Sequence, residues 1–126
     1  MRGSDYLTSI DSPATEGVSD HMSDSLEIEG ISKRFPRTAR PALDGVSIVL
    51  GDADIMALVG ESGSGKTTLL RIIAGLEQPD RGTVAIGGEL VCAEGYSAPP
   101  ENRHIGFVFQ DYALFPHLDV RKNLLY

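Results

Sequence analysis

The sequence ALVGESGSGKTTLLRIIAGLE, residues 57–77, places a glycine-rich loop between two apolar runs. The run before the loop is part of IMALV, residues 55–59, whose unbroken apolar character is typical of a strand buried on both faces of a parallel sheet. The run after it, residues 67–76, repeats leucine and isoleucine at helical spacing, which predicts a helix with a wide buried stripe. The stretch therefore predicts a strand, a loop and a helix in direct succession, as in an α/β fold.

The glycine-rich loop, residues 60–68, fits the pattern G-x-x-x-x-G-K-[ST] through Gly60, Gly65, Lys66 and Thr67. A helix N-terminus offers phosphates its unpaired backbone N–H groups and the positive end of its dipole, and glycines let the backbone come close. Lys66 adds a charge for the β- and γ-phosphates, and the Thr67 hydroxyl is a ligand for Mg²⁺. A turn that served only to bend the chain would not need a lysine followed by a hydroxyl. The loop is therefore predicted to bind a nucleoside triphosphate with Mg²⁺.

The rest of the chain divides into a polar leader and an ordered part. Residues 1–25 are rich in serine, aspartate and threonine without a hydrophobic period, which predicts a disordered leader. Residues 26–126 are predicted to be ordered and to begin with an antiparallel β subdomain. Outside the opening stretch, strands are predicted from residue 26, at residues 46–50, on both sides of Gly87 and Gly88, and at residues 104–110.

Bulk composition excludes several classes of protein. The chain has 126 residues, and no apolar run approaches the roughly 20 residues of a membrane-spanning helix. Its N-terminus lacks the apolar core of a signal peptide, which predicts a chain that stays in the cytoplasm. The net charge of −7 is concentrated in the leader, and no basic face is evident, so nucleic acid is not expected as a partner. One short basic run is interpreted as a solvated loop, with attraction of a nucleotide as the alternative: Lys33, Arg34, Arg37 and Arg40.

Two segments taken together resemble the first part of the ATP-binding subunit of ABC transporters. They are GESGSGKTTLLRIIAGLEQPDRGTVAIGG, residues 60–88, and GFVFQDYALFPHLDVRKNLLY, residues 106–126. The resemblance covers about residues 26–126 and implies a P-loop NTPase fold of the ABC ATPase type, in which the parallel core sheet is incomplete. It also implies ATP and Mg²⁺ as cofactors, and an integral membrane permease, a second ATPase subunit and, indirectly, a periplasmic or lipid-anchored binding protein as partners. The implied location is the inner face of the cell membrane.

The resemblance also assigns roles to individual residues. Lys66 and Gln110 take catalytic roles, since Gln110 matches the Q-loop glutamine that approaches Mg²⁺ and the attacking water. Thr67 and Gln110 are the implied metal ligands, and Phe35 matches the aromatic that stacks on adenine, with a core aromatic as the alternative. The nucleotide-binding loop, called Walker A in the family, comprises Gly60, Glu61, Ser62, Gly63, Ser64, Gly65, Lys66, Thr67 and Thr68. The surface that meets the permease comprises Tyr112, Ala113, Leu114, Phe115, Pro116 and His117.

The segment between residues 88 and 120 is similar to ferric-iron importers, in which a Pro-Pro-Glu sequence and an arginine precede the Q-loop strand. Iron(III) is therefore the favoured transported substrate, and polyamine, sulfate and sugar are the alternatives. The family's later motifs, a Leu-Ser-Gly-Gly-Gln signature, a catalytic glutamate and a switch histidine, do not occur before Tyr126. The chain is thus expected to be a truncated part of the domain that contacts nucleotide without hydrolysing it.

Two other functions compete with that interpretation. The chain could act as a non-hydrolysing module that docks on the permease through residues 110–117. A soluble P-loop kinase or GTPase would explain residues 60–67 equally well, but it gives no reason for FVFQDYALFPHLDV, residues 107–120.

Overall fold

The computed structural model describes residues 8–9, 25–111 and 117–124. Its elements in chain order are β1 (Thr8–Ser9), β2 (Leu26–Lys33), β3 (Leu43–Leu50), β4 (Leu58–Val59), α1 (Lys66–Ala74), β5 (Arg81–Ile86), β6 (Glu89–Ala93), β7 (Tyr96–Ser97), a 3₁₀ turn (Pro100–Asn102) and α2 (Val120–Leu124). No helix in this described part of the chain could cross a membrane.

Five of the strands form one antiparallel sheet in the order β3-β2-β5-β6-β7. β2 is paired on both sides, so that Ile28 faces Ile48 of β3 and Val84 of β5. The pairing shifts register near Gly30, whose φ of 61° marks an irregularity in β2. The predicted antiparallel β subdomain and the hairpin across Gly87 and Gly88 are confirmed.

The core lies where α1 covers this sheet. Leu69 and Ile72 of α1 are fully buried, and they belong to one cluster with residues of four strands. The spacing of the two residues places both on the face that meets the sheet. The buried members of the cluster are Ile28, Ile31, Leu43, Ile48, Leu69, Ile72, Val84, Val91, Cys92 and Ala98.

The predicted buried strand at residues 55–59 is wrong in extent and in burial. Only Leu58–Val59 is a strand, and Ile55 is 91% exposed while Val59 is 56% exposed. An apolar strand is buried only where neighbouring strands and helices cover it, and among the described residues β4 pairs with β1 alone. This pairing is antiparallel and places Thr8 opposite Val59. β1 is the described part of the predicted leader before residue 25. The prediction that the leader is disordered concerns residues 1–7 and 10–24 as well, and these lie outside the described residues.

The predicted strand at residues 104–110 is also wrong, because residues 104–109 have no regular structure. Val108 is 94% exposed and Phe109 is 51% exposed, and the Phe107 and Phe109 rings meet edge to face with 4.8 Å between their centroids. No described strand pairs with this segment, and an unpaired strand is not stable by itself. The helix predicted at residues 67–76 is present, but it ends at Ala74.

Candidate functional site

The glycine-rich loop, residues 60–68, leads from β4 directly into α1. Gly63 and Gly65 have φ angles of 82° and 99°, which turn the chain so that Gly65 becomes the residue before the helix. The helical hydrogen bonds begin with the Leu69 amide, which donates to the Gly65 carbonyl at 2.9 Å, and no side chain caps the helix start. The amides of the first turn are therefore free of intrahelical partners, which is the arrangement that binds anions at helix N-termini.

Lys66 folds back across this loop. Its ammonium donates to the Gly60 carbonyl, to the Glu61 carbonyl at 2.6 Å and to the Ser64 hydroxyl at 3.0 Å. These three bonds use all three ammonium hydrogens, and they close the loop around the lysine. A phosphate that enters the loop must exchange at least one of them for a bond to its own oxygen. The structure thus brings together four residues of the predicted site.

Gly65 also meets the start of β3. A Cβ atom at this position would lie 2.3 Å from the Ala42 carbonyl oxygen and 2.9 Å from Cδ2 of Leu43. The close approach explains why glycine is needed here for steric reasons as well as for its positive φ. It also fixes the glycine-rich loop against the end of the loop at residues 34–42, which joins β2 to β3.

Phe35 lies on that connecting loop and is half-buried. The loop is closed by the Ala42 amide, which donates to the Lys33 carbonyl at 2.7 Å, and by Thr38, whose hydroxyl donates to the Phe35 carbonyl at 2.8 Å. Phe35 and the glycine-rich loop are therefore anchored to the same short segment. This placement is compatible with the predicted contact between Phe35 and a base, which stays a prediction.

Lys33 does not lie in a solvated loop, so that interpretation of the basic run is wrong at its first member. Its side chain is 13% exposed, pairs with Glu77 at 2.8 Å and donates to the Gln78 carbonyl at 2.7 Å. The ammonium also lies 5.3 Å from the centre of the Phe35 ring. Sequence reasoning missed this contact because Lys33 and Glu77 are far apart in the chain and no local pattern links them.

The Lys33–Glu77 pair predicts a pH dependence of stability. The hydrogen bond from Lys33 lowers the pKa of Glu77 below its ordinary value, although partial burial opposes the shift. Because the folded-state pKa is depressed, the pair stabilises the fold above about pH 4.5 and loses this contribution as the pH falls through the folded-state pKa. Glu77→Gln is expected to lower the free energy of unfolding at pH 7 by about 0.5–1 kcal/mol.

Urea denaturation at pH 7 and pH 3 measures this effect. The difference between the unmodified chain and Glu77→Gln should shrink at pH 3, whereas Glu94→Gln, at an exposed turn, should change stability at neither pH. An equal difference at both pH values would contradict the ion-pair account.

Of the predicted site residues outside the loop and the Phe35 segment, Gln110 and His117 are described and residues 112–116 are not. Gln110 is exposed in a bend after the irregular segment, and within the described ranges it makes no hydrogen bond to the glycine-rich loop. His117 is exposed, and the remaining predicted permease contacts, residues 112–116, lie outside the described residues. In the part of the chain that is described, no three His, Cys, Asp or Glu side chains come together to hold a metal ion. Thr67 is exposed at the start of α1.

Comparison with known proteins relates this chain to ABC transporters and to import ATP-binding proteins. The family described as "ABC transporter" matches residues 43–124. The chain is 48% identical over 102 residues to the sulfate/thiosulfate import ATP-binding protein CysA of Bradyrhizobium diazoefficiens, a match that covers 81% of this chain and 28% of the relative. It is 46% identical over 101 residues to the Fe(3+) ions import ATP-binding protein FbpC 2 of Pectobacterium atrosepticum. This match covers 80% of this chain and 29% of the relative.

A third relative and a solved structure extend this picture. The spermidine/putrescine import ATP-binding protein PotA of Nitratidesulfovibrio vulgaris is 42% identical, over 79% of this chain and 25% of its own length. The structure is the ATP-binding cassette MJ0796, solved as a dimer in a post-hydrolysis state bound to ADP and Pi. It superimposes with a TM-score of 0.57 at 26% identity over 78% of this chain and 44% of that chain. This chain thus spans less than a third of the length of the three curated relatives.

Proposed function

The chain belongs to the ABC transporter family, and from this premise we propose that residues 60–68 bind the phosphates of ATP for an import ATPase. In the family this subunit works in the cytoplasm against the membrane, and it couples ATP hydrolysis to transport. Residues 26–126 are proposed to belong to the nucleotide-binding domain of this subunit. A permease and a second ATPase subunit are the proposed partners.

The observation that carries this proposal is the closed loop around Lys66. Three groups of the loop hold its ammonium directly beside a helix start that no side chain caps. A nucleotide phosphate can accept bonds from the uncapped amides and from the lysine at once, and each bond to an ionised group is stronger than a neutral one. The kinase and GTPase alternative from the sequence is disfavoured by the family match, which extends through residues 43–124.

The residues present also fit Mg²⁺ bound together with ATP. The described part of the chain offers no cluster of acidic or histidine ligands, so a metal ion here would depend on phosphate oxygens and neutral protein oxygens. Thr67 is exposed at the helix start and is proposed to supply one hydroxyl ligand, with Gln110 as a second protein ligand. Bound Mg²⁺ supplies charge neutralisation between the phosphates. Phe35 is proposed to stack on the adenine.

Lys66→Ala tests the proposed function. The loss of one charged contact to phosphate is expected to weaken binding of a fluorescent ATP analogue with Mg²⁺ by about tenfold to a hundredfold. Lys122→Ala is the matched control, because Lys122 is 67% exposed on α2 and should leave the affinity unchanged. Equal affinities for Lys66→Ala and the unmodified chain would sink the assignment of this loop as the phosphate site.

The transported substrate has three candidates that the relatives support comparably: iron(III), sulfate or thiosulfate, and polyamine. The Pro-Pro-Glu segment at residues 99–101 is the sequence feature that favours iron(III). In the structure Pro99 precedes a short 3₁₀ turn, Pro100–Asn102, whose residues are exposed and which leads into buried Arg103. Co-purification of the chain with the permeases of the three importer classes would discriminate among these substrates, and retention by the iron permease alone would favour iron(III).

A further inference from the structure

Arg103 is the only charged residue that is buried among the described residues, with 2% of its surface exposed. It follows the 3₁₀ turn Pro100–Asn102, which ends where the Arg103 amide donates to the Pro100 carbonyl at 3.1 Å. Within the described ranges, no carboxylate pairs with it. A buried cation without a counter-ion needs compensation from other dipoles, so its hydrogen-bond partners decide what it does.

Arg103 has four hydrogen-bond partners, of which two are carbonyl groups at the C-terminal end of α1. Nη1 donates to the Ile72 carbonyl at 2.7 Å and to the Ile73 carbonyl at 2.9 Å. Nε donates to the Ala98 carbonyl at 2.9 Å, and Nη2 donates to the Ser97 hydroxyl at 2.8 Å. One planar guanidinium therefore joins the last turn of the helix to the end of the sheet at β7.

The helix end is built to receive this side chain. Gly75 ends α1 with a φ of 81°, and a Cβ atom there would lie 2.7 Å from Arg103 Nε. The amides of Gly75 and Leu76 bond to the Ile72 and Arg71 carbonyls, so Arg103 adds a second donor to the Ile72 carbonyl and also donates to the Ile73 carbonyl. The negative end of the helix dipole compensates the arginine charge.

The two ends of α1 are thus held by different contacts. At its start, Gly65 packs against the Ala42 carbonyl, and at its end, Arg103 fixes the last turn. A nine-residue helix moves as a rigid rod, so a shift at one end displaces the other. Phosphate bonds depend on atomic positions to within a fraction of an ångström.

We propose that Arg103 is a positioning residue for the phosphate-binding end of α1. It holds the helix against the sheet so that Lys66 and the first-turn amides keep the geometry that a polyphosphate requires. The inference rests on the proposed function and deepens it. Arg103 makes no contact with the nucleotide and acts only through the helix.

The test compares the affinities of the full chain for ATP and AMP, both with Mg²⁺. The dissociation constant for AMP divided by that for ATP reports the affinity gained from the extra phosphates. This ratio is insensitive to the fraction of the chain that is folded. Arg103→Lys keeps the charge but cannot reach all four acceptors, and it is expected to reduce this ratio at least fivefold. Arg81→Lys is the matched control, because Arg81 is exposed on β5, and it should leave the ratio within twofold of the unmodified value.

Each outcome decides the question. An equal loss of affinity for ATP and AMP in Arg103→Lys would show a purely structural role and overturn the inference. If Arg103→Lys does not fold, Ser97→Ala removes the acceptor of Nη2 alone, and an unchanged ratio in that variant would overturn the inference equally. If the unmodified chain binds ATP no better than AMP, the proposed function fails first and the inference fails with it.

Discussion

Gly65→Ala is expected to abolish nucleotide binding and to lower the free energy of unfolding by about 2–5 kcal/mol. Two effects combine in this variant. The residue has a φ of 99°, which is strained for any residue with a Cβ atom, and the new methyl group would lie 2.3 Å from the Ala42 carbonyl oxygen. The Ala42 carbonyl belongs to the backbone and cannot rotate away as a flexible side chain can. The glycine-rich loop must therefore move away from the start of β3.

Gly63→Ala is the matched control for this prediction. Gly63 has a φ of 82°, but an added Cβ atom would meet nothing within 4 Å. Only the backbone strain applies, and the loss of stability should stay at about 1–2 kcal/mol. Urea denaturation of both variants, with ATP titration of each, measures the difference. Similar losses in the two variants would refute the contact between Gly65 and Ala42.

Leu69→Ala is expected to destabilise the chain by about 2–5 kcal/mol, because Leu69 is fully buried in the core between α1 and the sheet. Its neighbour Leu70 is 44% exposed on the same helix, so Leu70→Ala should reduce stability by less than about 1 kcal/mol. The two variants remove the same atoms from adjacent positions. Their urea midpoints therefore measure burial alone, and equal midpoints would contradict the packing of α1 on the sheet.

Local patterns predicted the elements whose hydrogen bonds are supplied nearby. The hairpin across Gly87 and Gly88 is formed by two adjacent strands, and α1 satisfies its own backbone, so both follow from short segments of sequence. The α/β assignment is confirmed by the family match and by the similarity to a solved ATP-binding cassette. The glycine-rich loop was predicted from spacing, and the structure adds the fold-back of Lys66, which no pattern of residue types contains.

The strand predictions at residues 55–59 and 104–110 were wrong because apolar composition does not supply a neighbouring strand to pair with. Both segments have the hydrophobic character of buried strands, yet Ile55 and Val108 are more than nine-tenths exposed. A strand needs a neighbour for its backbone groups, and that neighbour is a property of the whole sheet. The one described partner of β4 is Thr8–Ser9, which belongs to the segment that composition assigned to a disordered leader.

The long-range contacts of two charged side chains were the other feature that the sequence did not reveal. Arg103 reads as a polar residue after two prolines, and its burial depends on the distant end of α1. Lys33 reads as part of an exposed basic run, but its partner is 44 residues further along the chain. Contacts of this kind depend on tertiary packing, and residue types do not predict them.

The central claim is that residues 60–68 bind the phosphates of ATP. Backbone amide NMR of the ¹⁵N-labelled chain during titration with ATP and Mg²⁺ tests it most directly, because amides that donate to phosphate shift strongly. The account predicts saturable shifts that are largest at Gly63, Gly65, Lys66 and Thr67, and that are reduced in Lys66→Ala. Saturable binding that leaves these four amides unshifted would contradict it.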